Sequence, residues 1–134
     1  MPKSKIWRLI PVFLWMGVIF WFSSQPHLPR YPHGLINLLL RKGAHIVEYG
    51  ILAALLRWAL GVSFQDPVGK GIPFILATLY ALSDEFHQSF VPGRNASFLD
   101  VGFDTLGASL GLITLWWFSR RGRLSLRRGG PAER

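Results

Sequence analysis

The chain has 134 residues, half of them apolar, no cysteine and a formal net charge of +8. That length holds one domain with no large extramembrane module, and the lack of cysteine excludes disulfides, zinc-thiolate sites and cysteine nucleophiles. A soluble domain of this charge would be read as nucleic-acid binding, but here the basic residues sit in two blocks, before Trp7 and after Ser119. Flanking long apolar stretches, they suit anionic lipid headgroups better than a duplex, so membrane lipids and not nucleic acid are the expected partners.

The first apolar run follows Lys3, Lys5 and Arg8 and leads into Ser23-Ser24-Gln25-Pro26 without a small-x-small cleavage site. It is therefore expected as an uncleaved first helix, not a signal peptide. A membrane helix needs roughly 20 apolar residues to cross about 30 Å of hydrocarbon, and four segments approach this. They run from about Ile6 to Ser23, Ala44 to Leu60, Gly71 to Phe90 and Val101 to Phe118. The breaks carry Pro26, Pro29 and Pro32, then Gly61, Asp66 and Pro67, then Pro92 and Gly93, which is turn chemistry. Short connections make neighbouring helices antiparallel.

Basic loops are retained in the cytoplasm, so the placement of Lys and Arg sets the orientation. Lys3, Lys5, Arg8, Lys70 and the six arginines after Ser119 lie on one side, ten in all, against four on the other: Arg30, Arg41, Lys42 and Arg94. The expected fold is all-α: a polytopic, multi-pass protein of the cell membrane, a four-helix transmembrane bundle with N- and C-termini cytoplasmic. Residues 1–119 are expected to form the transmembrane domain and residues 120–134 a basic, disordered cytoplasmic tail.

Ionisable groups inside a span cost about 2.5 to 3.5 kcal/mol each by insertion scales, so several together need an explanation. In the antiparallel order, the first helix ends at Ser23, Ser24 and Gln25 where the second begins with Lys42, His45, Glu48 and Tyr49. The third finishes with Asp84, Glu85, His87 and Gln88 where the fourth starts with Asp100 and Asp104. All four polar ends are expected to meet on the outer side. Residues three, four or seven apart share a helical face, which groups Lys42, His45, Glu48 and Tyr49 on one stripe and Tyr80, Asp84, His87 and Gln88 on another. Glu85 is turned about 100° from the second stripe. Behind Asp100 and Asp104 come Gly107, Ala108 and Gly111, a pattern that permits close approach of a helix, either within the chain or from a second copy in a homodimer.

Glu48, Asp84, Glu85, Asp100 and Asp104 outnumber Arg41, Lys42 and Arg94, leaving room for a cationic group, a metal or a shared proton. His45 and His87 titrate near neutrality. Candidate catalytic groups are Glu48, Asp84 and His87. The plainest alternative is an internal ion-pair network that only sets helix register. A divalent metal at His45 and Glu48 is a weaker option because that spacing is common, and no cofactor follows from the residues. His27 and His33 read as surface histidines. Trp7, Trp15, Trp21, Trp58, Trp116 and Trp117 read as interface anchors.

Lys42-x-x-His45-x-x-Glu48-Tyr49, the string Asp84-Glu85-Phe86-His87-Gln88-Ser89-Phe90-Val91-Pro92-Gly93-Arg94, and Asp100 and Asp104 followed by Gly107 and Gly111 closely resemble the VanZ-like membrane protein family. The resemblance spans roughly Ser23 to Gly111. Carried over by position, it implies ligand-binding roles for Lys42, His45, Glu48, Tyr49, Asp84, Glu85, His87, Gln88, Arg94, Asp100 and Asp104. It also implies a link to glycopeptide resistance, teicoplanin in particular. The expected function is binding of a lipid headgroup, a lipid-linked envelope precursor or a lipidated glycopeptide in an outer polar pocket. The rival is an intramembrane hydrolase or group transferase acting on a lipid-linked substrate. A proton-coupled transporter is weaker, since no broken helix or inverted repeat is visible.

Overall fold

In the computed structural model the chain is described over residues 6–26 and 32–128, the last five by backbone alone. Lys3, Lys5, His27, Arg30 and Arg134 lie outside the described residues. The described residues form four helices and no strand: α1 (Leu9–Ser23), α2 (Gly34–Leu60), α3 (Pro67–Gln88) and α4 (Phe98–Arg128).

Three helix bounds differ by four residues or more from the hydropathy-based expectation, each for a physical reason. α2 begins at Gly34, ten residues before Ala44, so Arg41 and Lys42 lie in the helix and not in a loop. A hydropathy window stops at charges, whereas a helix stops only where its backbone must, and the apolar run Leu38-Leu39-Leu40 continues without a breaker into Arg41. α3 begins at Pro67 with extended Asp66 before it. Proline is tolerated at that first helical position because its missing N–H would have had no intrahelical partner. α4 runs to Arg128, ten residues past Phe118 and through 120–128, the first part of the arm expected to be disordered. Arginine and leucine are good helix formers, a single Gly122 is tolerated, and the next breakers are Gly129, Gly130 and Pro131. The end of α1 at Ser23 and that of α2 at Leu60 agree with the expected spans, the latter closed by Gly61 in the left-handed region at φ 63°.

The tightest crossing joins α2 to α4. A Cβ added to Gly107 would stand 2.7 Å from Ile46 Cα, and one added to Gly111 would stand 2.8 Å from Gly50 Cα. Only glycine permits that approach, so the small-residue face of α4 is covered by α2 of the same chain. Around the crossing Leu52, Ala53, Ala77, Ala81 and Ala108 are buried, with Val12 and Ile19 supplied by α1. α1 is also tied by polar bonds: Trp15 Nε1 donates to the Glu48 backbone carbonyl at 2.9 Å, and the Tyr80 hydroxyl donates to the Met16 carbonyl at 2.7 Å. Trp15 is thus a strut between helices, unlike the exposed Trp7, Trp21 and Trp58.

Outside the core the surface is apolar, with Phe13, Leu14, Leu39, Val47, Leu79 and Ile113 all exposed. Among the described residues one helix, Phe98–Arg123, is long and apolar enough to cross a membrane, and Leu9–Ser23 is apolar but shorter.

Candidate functional site

The polar ends of all four helices meet at one end of the bundle, and α2 organises them through two stripes. Lys42, Ile46 and Gly50, four residues apart, face α4. Asn37, Arg41, Ala44 and Glu48 face a cavity between α1, α2 and α3. His45 lies on the boundary and touches both.

The face toward α4 is charge-paired. Lys42 forms an ion pair with Asp100, both side chains largely buried. His45 Nδ1 lies 2.7 Å from Asp104 Oδ1, and Asp104 is 1% exposed. An ionised Asp104 can only accept, which places a hydrogen on Nδ1. Asp104 Oδ2 and the Tyr49 hydroxyl are buried without a hydrogen bond. Phe103 adds a cation-π contact under Lys42 at 5.2 Å.

The other face is open. The cavity has a volume of about 340 Å³, within the size range of small-molecule sites. His45, Glu48, Asp84, Gln88 and Arg94 line it together with Arg41, Asn37 and Ser23, and Ile19, Phe22, Leu40 and Ala44 give it an apolar wall. Arg41 is exposed, Arg94, His45 and Glu48 are half-buried, and Asp84 is 3% exposed, so Arg41 stands at the mouth and a carboxylate at the floor. Arg94 is fixed by the last turn of α1: Nη2 donates to the Phe22 carbonyl at 2.8 Å and Nε to the Gln25 carbonyl at 3.2 Å. A helix C-terminus leaves such carbonyls without partners, and a guanidinium satisfies them and opposes the helix dipole. Burial, and next the positive charge of Arg41, lower the Arg94 pKa from its ordinary value, while Asp84, Glu48 and Glu85 oppose that shift. Arginine starts so far above neutrality that it stays charged.

Gln88 sits between the opposite charges. Its Nε2 donates to Asp84 Oδ2 at 3.0 Å, and its Oε1 accepts from Arg94 Nη1 at 3.4 Å. The amide therefore spaces Arg94 from Asp84, and among the described residues the two form no ion pair. Asp84 Oδ1 and Ser23 Oγ are buried with no hydrogen bond. The Glu48 carboxylate has no hydrogen bond or ion pair to any described residue.

Of the eleven residues proposed from sequence, five line this cavity. Lys42, Asp100 and Asp104 belong to the α2–α4 seam, and Tyr49 is fully buried beneath it, its ring 6.2 Å from that of Tyr80. His87 lies on the α1–α3 seam outside the cavity. Its ring stacks on Phe20 at 4.4 Å, and because the single Ser24 hydroxyl hydrogen goes to the Phe20 carbonyl, His87 Nε2 donates to Ser24 Oγ at 3.1 Å. Of the three candidate catalytic groups, Glu48 and Asp84 are thus brought together and His87 is not. Glu85 turns away into a second cleft with Leu82, Phe86, Ser97 and Phe98, where Oε1 accepts from the Ser97 backbone N–H. No group of three His, Cys, Asp or Glu residues able to hold a metal occurs among the described residues.

Arg41, Asn37 and Ser23 were not in the proposed ligand set. The signal for the first two was present: 37, 41, 45 and 48 follow the helical repeat, but only if α2 is extended back across the charges at 41 and 42. Ser23 carried no signal beyond its place at a polar helix end.

No curated protein and no solved structure matches the chain. A family model described as VanZ/LLP1 matches residues 8–119, a stretch that contains α1 to α3, the glycine seam and every residue lining the cavity. With most of its length inside that match, the chain belongs to the VanZ/LLP1 family.

Proposed function

We propose that this is a multi-pass protein of the cell membrane whose polar cavity binds the headgroup of a membrane lipid, a lipid-linked envelope precursor or a lipidated glycopeptide. The observation that carries the reading is a cavity with an apolar wall in which Arg41, Arg94, Glu48 and Asp84 form no ion pair with a described residue. Phe22, Leu40 and Ile19 offer a surface to acyl chains, and Arg41, Arg94, Glu48 and Asp84 offer one to a polar head.

The membrane setting is supported by the belt of exposed apolar side chains, far larger than a soluble monomer of this size carries. At a rise of about 1.5 Å per residue α2 and α3 are each long enough to cross a bilayer, with Arg57 in the last turn of α2 and Lys70 at the opposite end of α3 from Asp84 and Glu85. The shorter α1 is extended by Trp7 and Arg8, residue types that settle at the headgroup level. The excess of basic residues around the termini orients both toward the cytoplasm and turns the cavity outward. The resemblance to VanZ-like proteins extends the ligand range to teicoplanin, whose acyl chain and charged peptide core match the two kinds of wall.

Two measurements test this. Single cysteines at Ser4 and Ser125 should resist a membrane-impermeant thiol reagent in intact cells, and labelling of either would remove the outward cavity. Purified protein should carry phospholipid through detergent exchange, and Arg41→Gln should release it. Retention of the same lipid by that variant would overturn the binding role, and product formation from a lipid-linked substrate would replace it with catalysis.

A further inference from the structure

The cavity is polarised along its depth, and that narrows what fits. Arg41 stands at the mouth, Arg94 and Glu48 are half-buried, and Asp84 and Ser23 are buried at the floor. Arg94 spends three of its five N–H donors on Phe22, Gln25 and Gln88, which leaves two for a ligand. Arg41 makes no hydrogen bond or ion pair to a described residue. The same cavity holds three acceptors without donors among the described residues: Asp84 Oδ1 and Ser23 Oγ, both buried, and the half-buried Glu48 carboxylate. Asp84 is 97% buried, judged by its 3% exposure, so its free oxygen is costly unless a donor arrives. The opposite charges do not satisfy one another, because Gln88 holds one end of each.

Ligands with one kind of charge fit poorly. An anion alone would leave the carboxylate floor uncompensated, and a cation alone would share the cavity with two guanidinium groups. A neutral head would answer neither. Resting on the binding function proposed above, we infer that the ligand carries a phosphate and a primary ammonium on one headgroup, the phosphate at Arg41 and Arg94 and the ammonium at Asp84, Glu48 and Ser23. Three N–H donors on an ammonium match three orphaned acceptors, whereas a quaternary ammonium has no hydrogen to donate. Guanidinium groups are well suited to phosphate oxygens. The headgroup is therefore of the phosphoethanolamine type, presented on a phospholipid or as the free compound.

The test uses the full chain in detergent and three short-chain phospholipids that differ only in headgroup: phosphoethanolamine, phosphocholine and phosphoglycerol. Soluble phosphoethanolamine is a fourth ligand. Binding of the ethanolamine lipid should be at least about tenfold tighter than that of the other two, since choline has no N–H to donate and the glycerol hydroxyls donate without the positive charge that answers the carboxylates. Tighter binding of the ethanolamine lipid than of the soluble compound identifies the lipid as the source, and equal binding identifies the free headgroup. In the folded Glu48→Gln and Asp84→Asn double variant the preference for ethanolamine over glycerol should vanish. Equal or tighter binding of the choline or glycerol lipid by the unaltered chain would overturn the inference while leaving lipid binding intact. Failure of all three lipids would remove both. The comparison on the unaltered chain needs no variant to fold.

Discussion

The two polar faces of α2 use the same residue types to opposite ends. Toward α4, Lys42 meets Asp100, His45 meets Asp104, and the glycines at 50, 107 and 111 then bring the backbones together. Toward α1 and α3, Arg41 and Glu48 form no hydrogen bond or ion pair with a described residue, and Arg94 and Asp84 are separated by Gln88. A charge answered within the chain sets helix register, and a charge left unanswered beside a cavity is available to something outside the chain. Counting charges cannot separate these roles. Knowing which face each charge occupies does.

The comparison can be broken most severely at the glycine crossing. Gly107→Leu would place its Cβ 2.7 Å from Ile46 Cα and 2.8 Å from the Ile46 carbonyl carbon, where only backbone movement relieves the clash. Overpacking of a tight core costs about 1 to 3 kcal/mol and occasionally more, and backbone against backbone belongs at the upper end. The variant should lose about 3 kcal/mol or fail to yield a monodisperse protein. A melting temperature in detergent equal to that of the parent would mean that α2 and α4 do not cross here.

Next in size is the buried pair. Asp104→Ala leaves His45 against α4 without its acceptor, and breaking a buried pair costs about 3 to 5 kcal/mol. The low end, about 3 kcal/mol, is expected because an imidazole can shed its proton where a lysine would keep it. Replacing both by leucine should restore most of the loss, since apolar packing commonly substitutes for a buried ion pair. A double variant no more stable than Asp104→Ala would show that the pair does more than hold the seam. Lys42→Met should give a smaller loss of about 1 kcal/mol, because that pair lies nearer solvent than His45 and Asp104. A loss as large as that of Asp104→Ala would place Lys42 at the centre of the seam.

How much of this was legible in the sequence divides along the same line. The all-helical class, the end of α1 at Ser23, the closing of α2 at Gly61 and the service of Gly107 and Gly111 as a close-approach face all follow from hydropathy, turn residues and spacing. These signals are local, and local signals survive without coordinates. The start of α2 was missed because charge was taken as the edge of a helix, although Arg41 and Lys42 are carried without strain where one opens on a cavity and the other has Asp100. The convergence of polar ends was legible from antiparallel order. Their division into seam, cavity and cleft was not, since Glu85 and His87 differ from Asp84 only by rotation about α3, and that rotation is set by packing against α1 and α4. Nor could the sequence show that Gln88 would sit between Arg94 and Asp84 as a spacer.

The smallest effect on stability should come from the cavity face, and this is where the comparison is most exposed. Asp84→Asn keeps the shape of the side chain, and the amide oxygen can still accept from Gln88 Nε2, so the one hydrogen bond the carboxylate makes within the chain survives. Glu48→Gln removes a charge that no described residue answers. Neither change strands a partner, and losing an uncompensated charge from a sparsely hydrated wall lowers a desolvation cost. Melting temperature should therefore stay within the equivalent of about 1 kcal/mol of the parent for each single variant, with the double no worse than their sum. Lipid binding and any protection against teicoplanin should nevertheless fall together in the same variants, because the negative charges proposed to answer the ligand's ammonium have gone. If the double variant lost as much stability as Asp104→Ala, the carboxylates of the cavity would be structural, as those of the seam are, and the distinction between the faces would dissolve. If instead it folded normally and bound its lipid undiminished, the charges would be unpaired without being a site, and the cavity would lose its claim to function.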